Sequence, residues 1–149
     1  MLRIRPSHAA PILNSFSNYP FPMVEVEAGA RLYPTEDAER VRRCLLNIFP
    51  EAVLEEDEGT IWARTDDLSR FKEIIRNHRI LDSTRAVMLR GMTVDGITFQ
   101  MNKQAAFVGK ISFVEGNAPL GHIEVTIKGD ALEALIDGVA PRTIDGEIP

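Results

Sequence analysis

The sequence has a single cysteine and no long apolar run, and both absences restrict what the chain can be. Cys44 cannot form an internal disulfide, and one thiol supplies neither a cysteine-rich zinc site nor a CxxC redox pair. No segment is long or apolar enough to span a membrane or to form the core of a secretory signal. With 149 residues, 44% of them hydrophobic and 26% charged, the sequence predicts a soluble protein of a reducing, cytoplasmic compartment.

The first 22 residues differ in composition from the rest, since they contain four prolines and no acidic side chain. We interpret residues 1–22 as a flexible N-terminal extension or as an artefact of the assigned gene start, because a strand pattern begins directly after Met23. The remaining residues, 23–149, are predicted to form a single domain.

Hydrophobic periodicity predicts the elements of that domain. Residues 24–33 alternate as in a strand with one buried face, whereas Val41, Leu45 and Ile48 recur as in an amphipathic helix. The predicted order of elements is β-α-β-β-α-α-β-β-β-α, with a break between two helices near residues 79–82. Because several links are of hairpin length, the sequence predicts a two-layer α+β fold with a mixed, largely antiparallel sheet and helices packed on one face.

Capping residues and turns set the expected boundaries of several elements. Thr35, Asp82 and Asp130 are expected to cap helices, and Gly91 is expected to end one. Residues 102–109 are expected to be a short connection. Residues 110–114 are then expected to form a strand.

Charge is unevenly distributed along the chain, although the formal net charge is −5. Acidic groups outnumber basic ones in residues 36–67 and 111–149, whereas residues 70–110 hold eight basic side chains against three acidic ones. A basic segment of this kind is typical of a surface that faces an anion, and it is also typical of a solvated helix surface.

Motifs for catalysis and metal binding are absent or incomplete. No G-x-S-x-G turn is present, and Gly109 and Lys110 lack the earlier glycine and the following hydroxyl of a phosphate-binding loop. His122 and Glu124 lie on one side of a predicted strand, but two ligands do not make a metal site. We therefore expect no catalytic residue, no metal site and no cofactor, with a dispersed site around His122, Glu124 or residues 102–104 as an alternative.

The basic segment supplies the candidate contacts to RNA. Cations contact phosphates, and amide side chains hydrogen-bond sugars or base edges. The candidate residues are Lys72, Arg76, Arg79, Arg85, Arg90, Asn102, Lys103, Gln104 and Lys110. The same side chains would serve equally in ion pairs with acidic segments of this chain or of a second subunit.

Four short segments carry a resemblance to a known family. They are Tyr33-Pro34-Thr35-Glu36-Asp37, Arg79-Ile80-Leu81-Asp82, Asn102-Lys103-Gln104-Ala105-Ala106 with Gly109, Ser112 and Phe113, and Pro119-Leu120-Gly121 followed by Ile123-Glu124-Val125. Over residues 24–141 the chain resembles a family of small archaeal proteins described as predicted RNA-binding proteins or exosome-associated subunits. The resemblance implies a fold like that of the large-subunit ribosomal protein that contacts 5S RNA. Residues 1–22 have no counterpart there, and Ser83-Thr84 replaces a small residue such as alanine.

Two functions are compatible with these observations. The first is a non-catalytic RNA-binding protein that uses residues 70–110 in RNA processing or ribosome-related work, with RNA or an RNA-processing complex as its partner. The alternative is an assembly protein without intrinsic nucleic-acid binding, whose basic segment docks on an acidic surface of another protein or of a second copy in a homodimer.

Overall fold

One antiparallel sheet and the helices that cover it make up the computed structural model, which describes residues 24–114 and 121–144. The strands are β1 Val24–Arg31, β2 Val53–Asp57, β3 Thr60–Thr65, β4 Met92–Thr93, β5 Gly96–Asn102 and β6 His122–Gly129. The helices are α1 Ala38–Ile48, α2 Ser69–Asn77, α3 Leu81–Arg90, α4 Lys103–Phe107 and α5 Leu132–Val139. The strand order is β2-β3-β1-β6-β5-β4.

The helices bury one face of the sheet, because alternate residues of the strands are apolar. Val26, Ala28 and Ala30 of β1 are 0% exposed, as the alternation in the sequence predicts. Every helix named above contributes buried side chains to the same core. The predicted two-layer α+β fold is therefore confirmed. The sheet is predicted to be mixed and largely antiparallel, and within the described residues it pairs only antiparallel strands.

Stacked phenylalanines connect the helices to the edge of the sheet. The ring centroids of Phe49 and Phe71 lie 6.2 Å apart, and those of Phe71 and Phe99 lie 5.8 Å apart. Phe99 in turn meets the edge of Phe113 at 5.7 Å. These contacts anchor the end of α1 and the start of α2 on β5.

The opposite face of the sheet, which we call the open face, carries none of the described helices. Trp62 of β3 lies across Gly29 of β1, so closely that a Cβ added at Gly29 would lie 2.5 Å from the indole ring. Strand register assigns five acidic and three basic residues to this face, namely Glu25, Glu27, Glu55, Asp57, Glu124, Arg31, Arg64 and Lys128. The open face is therefore polar and carries more acidic than basic groups.

Side-chain capping differs from the prediction at three helices. Asp37, rather than Thr35, caps α1, since its carboxylate accepts a hydrogen bond from the Glu39 amide at 3.0 Å. Asp82 lies in the first turn of α3, where it accepts a hydrogen bond from the Thr143 hydroxyl at 2.7 Å, and Ile80 is the N-cap. At α5, Ala131 takes the position expected for Asp130.

The chain between β5 and β6 also differs from the prediction. Residues 103–107 form α4 instead of a connection, and residues 110–114 make one isolated bridge, between Phe113 and Met101, instead of a strand. The break between α2 and α3 is confirmed, and Arg79 makes the reversal with a left-handed φ of 57°. The predicted extension, residues 1–22, lies outside the described residues.

Candidate nucleic-acid interface

Helix α2 and the turn that follows it present three cations to solvent. Phe71, Ile74 and Ile75 are buried, so the side chains of Lys72 and Arg76 are exposed on the other side of the helix. Arg79 is also exposed, but it lies beyond the end of the helix, in the left-handed turn. No hydrogen bond or ion pair engages these three side chains within the described part of the chain. All three side chains are therefore exposed, although the helix ends before Arg79, and their contact with RNA remains a prediction.

The start of α2 is held by a local carboxylate. Asp67 accepts a hydrogen bond from the Ser69 amide at 2.8 Å. Hydrogen bonds from the Ser69 hydroxyl and amide lower the pKa of Asp67, because they favour the ionised carboxylate. This hydrogen bond fixes the first residue of α2, the helix that carries Lys72 and Arg76.

Helix α1 adds two exposed arginines, Arg40 and Arg43, that the sequence analysis missed. Arg43 lies on the side of α1 away from the buried Val41 and Leu45, whereas Arg40 lies beside that buried stripe, next to Cys44 along the helix. Counting charges by segment concealed them, because residues 36–67 are acidic overall. Their spacing relative to the buried residues of the helix was the signal in the sequence that could have revealed them. Since α1 packs against both α2 and α4, the cations of α1 and α2 lie on adjacent helices.

We call the exposed cations of these two helices and of the turn after α2 that are unpaired among the described residues the basic helical surface. Its members are Arg40, Arg43, Lys72, Arg76 and Arg79. Two further arginines on the same helices are paired, since Arg42 bonds Glu39 and Arg70 bonds Glu73. The basic helical surface therefore consists of the exposed cations that these local ion pairs leave unpaired.

Lys103 does not belong to this surface, and its predicted contact with RNA is wrong. The side chain is buried, and its ammonium donates hydrogen bonds to the Arg31 carbonyl at 2.6 Å and to Glu36 Oε1 at 3.0 Å. Glu36 also accepts from the Tyr33 amide at 2.9 Å. Two of the resemblance segments therefore meet at a buried ion pair that joins the start of α4 to the end of β1.

Arg85 and Asn102 are also engaged within the protein. Arg85 donates to Asp137 Oδ1 at 2.8 Å and to the Ala140 carbonyl at 3.1 Å, which ties α3 to α5. The Asn102 side-chain oxygen caps α4 by accepting from the Ala105 amide at 2.8 Å. As candidate phosphate and base contacts, both residues are corrected to structural roles.

The remaining candidates lie at the surface but not in one cluster. Gln104 is exposed on α4, Lys110 follows that helix, and Arg90 is exposed at the end of α3. Their contacts with RNA remain predictions. The structure thus places Lys72 and Arg76 on α2 and Arg79 in the turn after it, whereas these three remaining candidates lie on other parts of the chain.

A cleft of about 540 Å³ opens between α4 and the turn that precedes α1. Val41 and Cys44 line its apolar side, and the guanidinium carbon of Arg40 lies 4.0 Å from the centre of the Phe107 ring at its edge. Burial raises the pKa of the Cys44 thiol, with a smaller opposing effect of the Lys103 charge, so the thiol is protonated at neutral pH. The cleft therefore combines an apolar wall with a cation held over an aromatic ring.

Metal-binding geometry is not found in the part of the chain that the structure describes. No group of three or more His, Cys, Asp or Glu side chains there could hold a metal ion. His122 and Glu124 share the open face, and His122 Nδ1 is buried without a hydrogen-bond partner. Among the same residues, no helix has the length and apolar character needed to cross a membrane.

Comparisons with known proteins confirm the resemblance to an archaeal family described as RNA binding. Residues 25–129 match a family model described as RNA binding. A UPF0200/UPF0201 protein of Archaeoglobus fulgidus is 38% identical over 126 residues, covering 83% of this chain but 39% of that protein, so the chain spans less than half of it. A UPF0201 protein of Metallosphaera sedula is 38% identical over 132 residues, covering 83% of this chain and 92% of that protein. The crystal structure of a UPF0201 protein from Methanococcus jannaschii is 38% identical, covers 84% of this chain and 98% of that one, and has a TM-score of 0.75.

Proposed function

We propose that this chain, which belongs to the family described as RNA binding and to the archaeal UPF0201 proteins, binds RNA and catalyses no reaction on it. The observation that carries the proposal is the group of exposed cations at α2, with Lys72 and Arg76 on the helix and Arg79 in the turn after it, which no acidic group among the described residues neutralises. Such cations gain free energy when they replace the counterions of a phosphate backbone. Arg40 and Arg43 add two exposed cations on the neighbouring helix α1.

The charge distribution supports one orientation of the protein on RNA. The net charge of −5 opposes association with a polyanion at long range. The acidic open face lies on the far side of the sheet from the basic helical surface. Repulsion at one face and attraction at the other would direct the helices, and not the sheet, toward phosphates.

The proposal extends to RNA processing or ribosome-related work in the cytoplasm. Association with an exosome, and likeness to the ribosomal protein that contacts 5S RNA, remain predictions from the sequence resemblance. The exposed cations support a binding role, because cations at the surface of a well-packed domain can contact the phosphate backbone of RNA.

The test is RNA affinity of the full chain, measured by fluorescence anisotropy over a range of salt concentrations. Replacing both arginines in Arg76→Ala/Arg79→Ala should weaken binding about tenfold and reduce the slope of log affinity against log salt by about two. Lys128→Ala/Arg142→Ala removes the same charge from exposed positions outside the basic helical surface, and should leave both quantities near those of the wild type.

Two results would contradict the proposal. One is an equal loss of affinity in the two double variants, which would make the binding an effect of net charge alone. The other is equal affinity of the wild type for heparin and for RNA near physiological salt, which would show a generic polyanion surface.

A second candidate function is self-assembly through complementary charge. It is favoured by the acidic open face, which a second copy offers to the basic helical surface. In that case Arg76→Ala/Arg79→Ala would lower the molecular mass found by light scattering at high protein concentration, and RNA affinity would be low in the wild type as well.

A further inference from the structure

Arg40 and Phe107 are in contact at the junction of α1 and α4, and we call this pair of side chains the platform. The Arg40 guanidinium carbon is 4.0 Å from the centre of the Phe107 ring, while the arginine side chain is exposed. No ion pair engages Arg40 among the described residues. The aromatic ring therefore supports one side of the guanidinium and leaves the group available to a further planar partner.

Helix α4 owes its position next to α1 to two interactions of the chain with itself. Asn47 of α1 donates hydrogen bonds from its side-chain nitrogen to the carbonyls of Ala106 and Phe107, at 3.0 and 2.9 Å. The buried Lys103 anchors the other end of α4. Because both ends are held, the Phe107 ring has a defined position and the platform is preorganised.

Two clefts of similar size but different chemistry flank the platform. The first, of about 540 Å³, has the apolar wall of Val41 and Cys44, with Gln104 at its rim. The second, of about 530 Å³, is lined by Arg43 and Asn47, together with Asp37 and with Glu39, which is paired with Arg42. Both volumes lie in the range of about 300–1,000 Å³ that is typical of small-ligand sites.

These two environments suit the two parts of a nucleotide. A base has apolar faces and a polar edge, so it fits an apolar wall with an amide at the rim, and stacking on arginine or aromatic side chains is the usual way in which proteins bind unpaired bases. The carboxylates in the first cleft are engaged within the protein, since Glu36 is paired with Lys103 and Asp37, which lines both clefts, caps α1. The second cleft offers Arg43, which has no ion pair in the described part of the chain, to the phosphate.

We infer that Arg40 and Phe107 bind one unpaired base of single-stranded RNA, with the edge of the base toward Gln104 and its phosphate on Arg43. The inference rests on the proposed function and adds a base-dependent site to a surface that otherwise contacts phosphates. It predicts that the protein prefers a strand with bases over the same backbone without them.

The experiment compares two oligonucleotides of equal length, a single-stranded RNA that contains 2-aminopurine and an abasic strand with the same number of phosphates. The wild type should bind the strand with bases about tenfold more tightly, and stacking should quench the 2-aminopurine emission. Arg40→Lys keeps the charge and removes the planar guanidinium, and Phe107→Leu keeps an apolar side chain and removes the ring. Both variants should lose most of the preference and the quenching, with affinity for the abasic strand unchanged.

A conservative variant of the second cleft serves as the matched control. Arg43→Lys retains a cation for the phosphate, so the preference for bases should persist. Arg40 is exposed, so Arg40→Lys tests the platform without disturbing the core even if Phe107→Leu lowers the free energy of unfolding.

The outcomes separate this inference from the proposed function. Full base preference and quenching in folded Arg40→Lys overturn the platform, and so does a wild type that binds both strands equally, while a loss of RNA affinity in Arg76→Ala/Arg79→Ala still supports RNA binding. If the wild type binds neither strand, both proposals are overturned.

Discussion

The two faces of the sheet are built by alternate residues of the same strands, yet they contribute differently to the protein. On the helical side, Val26 and Ala28 are fully buried, and that face belongs to the single core cluster. On the open face, many of the side chains are charged. Arg64 pairs there with Glu55 at 3.7 Å, and both side chains stay partly exposed. Stability therefore resides mainly on one face, because partly exposed ion pairs contribute little compared with buried apolar area.

This difference also separates stability from the proposed function. The helices that bury the apolar face carry the basic helical surface on their outer side, so changes there leave the core intact. The open face lies across the sheet and carries the opposite excess of charge. Four predictions test this comparison.

The largest expected effect is a difference in the free energy of unfolding between substitutions at two neighbouring residues of β5 that point to opposite faces. Phe99→Ala should lower the free energy of unfolding by about 3–5 kcal/mol, because it removes a buried ring that contacts Phe71 and Phe113. Thr98→Ala, at an exposed position of the open face, should cost less than about 1 kcal/mol. Urea denaturation measures both values, and similar losses would show that the two faces contribute alike.

A smaller effect is expected where a charge is buried on the helical side. Lys103→Met should lower the free energy of unfolding by about 2–3 kcal/mol, because it leaves the partly buried Glu36 carboxylate without its cation. Lys103→Met/Glu36→Gln should recover part of the loss.

RNA affinity of Lys103→Met distinguishes a structural from a binding role for this lysine. Since the ammonium is enclosed, affinity measured below the unfolding temperature should equal that of the wild type. A loss as large as that of Arg76→Ala/Arg79→Ala, with stability unchanged, would return Lys103 to the RNA contacts.

On the open face, the close approach of Trp62 to Gly29 allows a test with its own spectroscopic reporter. Gly29→Ala should cost about 1–2 kcal/mol, because the added Cβ would lie 2.5 Å from the indole ring and displace it. Trp62 is the single tryptophan of the chain, so its emission should shift in the folded variant. Gly138→Ala, where an added Cβ meets no atom within 4 Å in α5, should instead stabilise the protein by about 0.5–1 kcal/mol.

The smallest effect is a difference in thiol reactivity between the two faces. Burial raises the pKa of Cys44, so the folded state retains the thiol proton more tightly than the unfolded state, and the free energy of unfolding should decline above the ordinary thiol pKa. In the variant Thr98→Cys, mass spectrometry after brief iodoacetamide treatment at pH 8 should find the new, exposed thiol alkylated and Cys44 unmodified. Equal alkylation of the two would contradict the burial of Cys44.

Much of the fold was predictable because its determinants are local. Alternation in β1 and the acidic turn before β3 were sufficient to place these strands, and the break near Arg79 followed from the apolar stripe of α2. Helix α4 was missed because it is only five residues long and its C-terminal carbonyls are satisfied by Asn47, which lies about sixty residues earlier in the chain. Its existence depends on tertiary structure that periodicity does not contain.

The candidate site was less predictable than the fold, for the same physical reason. Lys103 looked like a surface cation, but its partners Arg31 and Glu36 are distant in sequence. Arg85 has its carboxylate partner Asp137 on α5. Charge counted along the chain does not show which cations remain unpaired once the helices are packed, and Arg40 and Arg43 were missed for that reason.

The pairing of β1 with β6 has a consequence for synthesis of the protein. Val24 lies opposite Gly129, so the first strand described is a direct neighbour of the last. A nascent chain that has exposed β1, β2 and β3 has no partner for the second edge of β1 until β6 leaves the ribosomal exit tunnel. We therefore expect folding to begin in the hairpin of β2 and β3 and to be completed only once β6 is available, at a rate limited by this long-range closure.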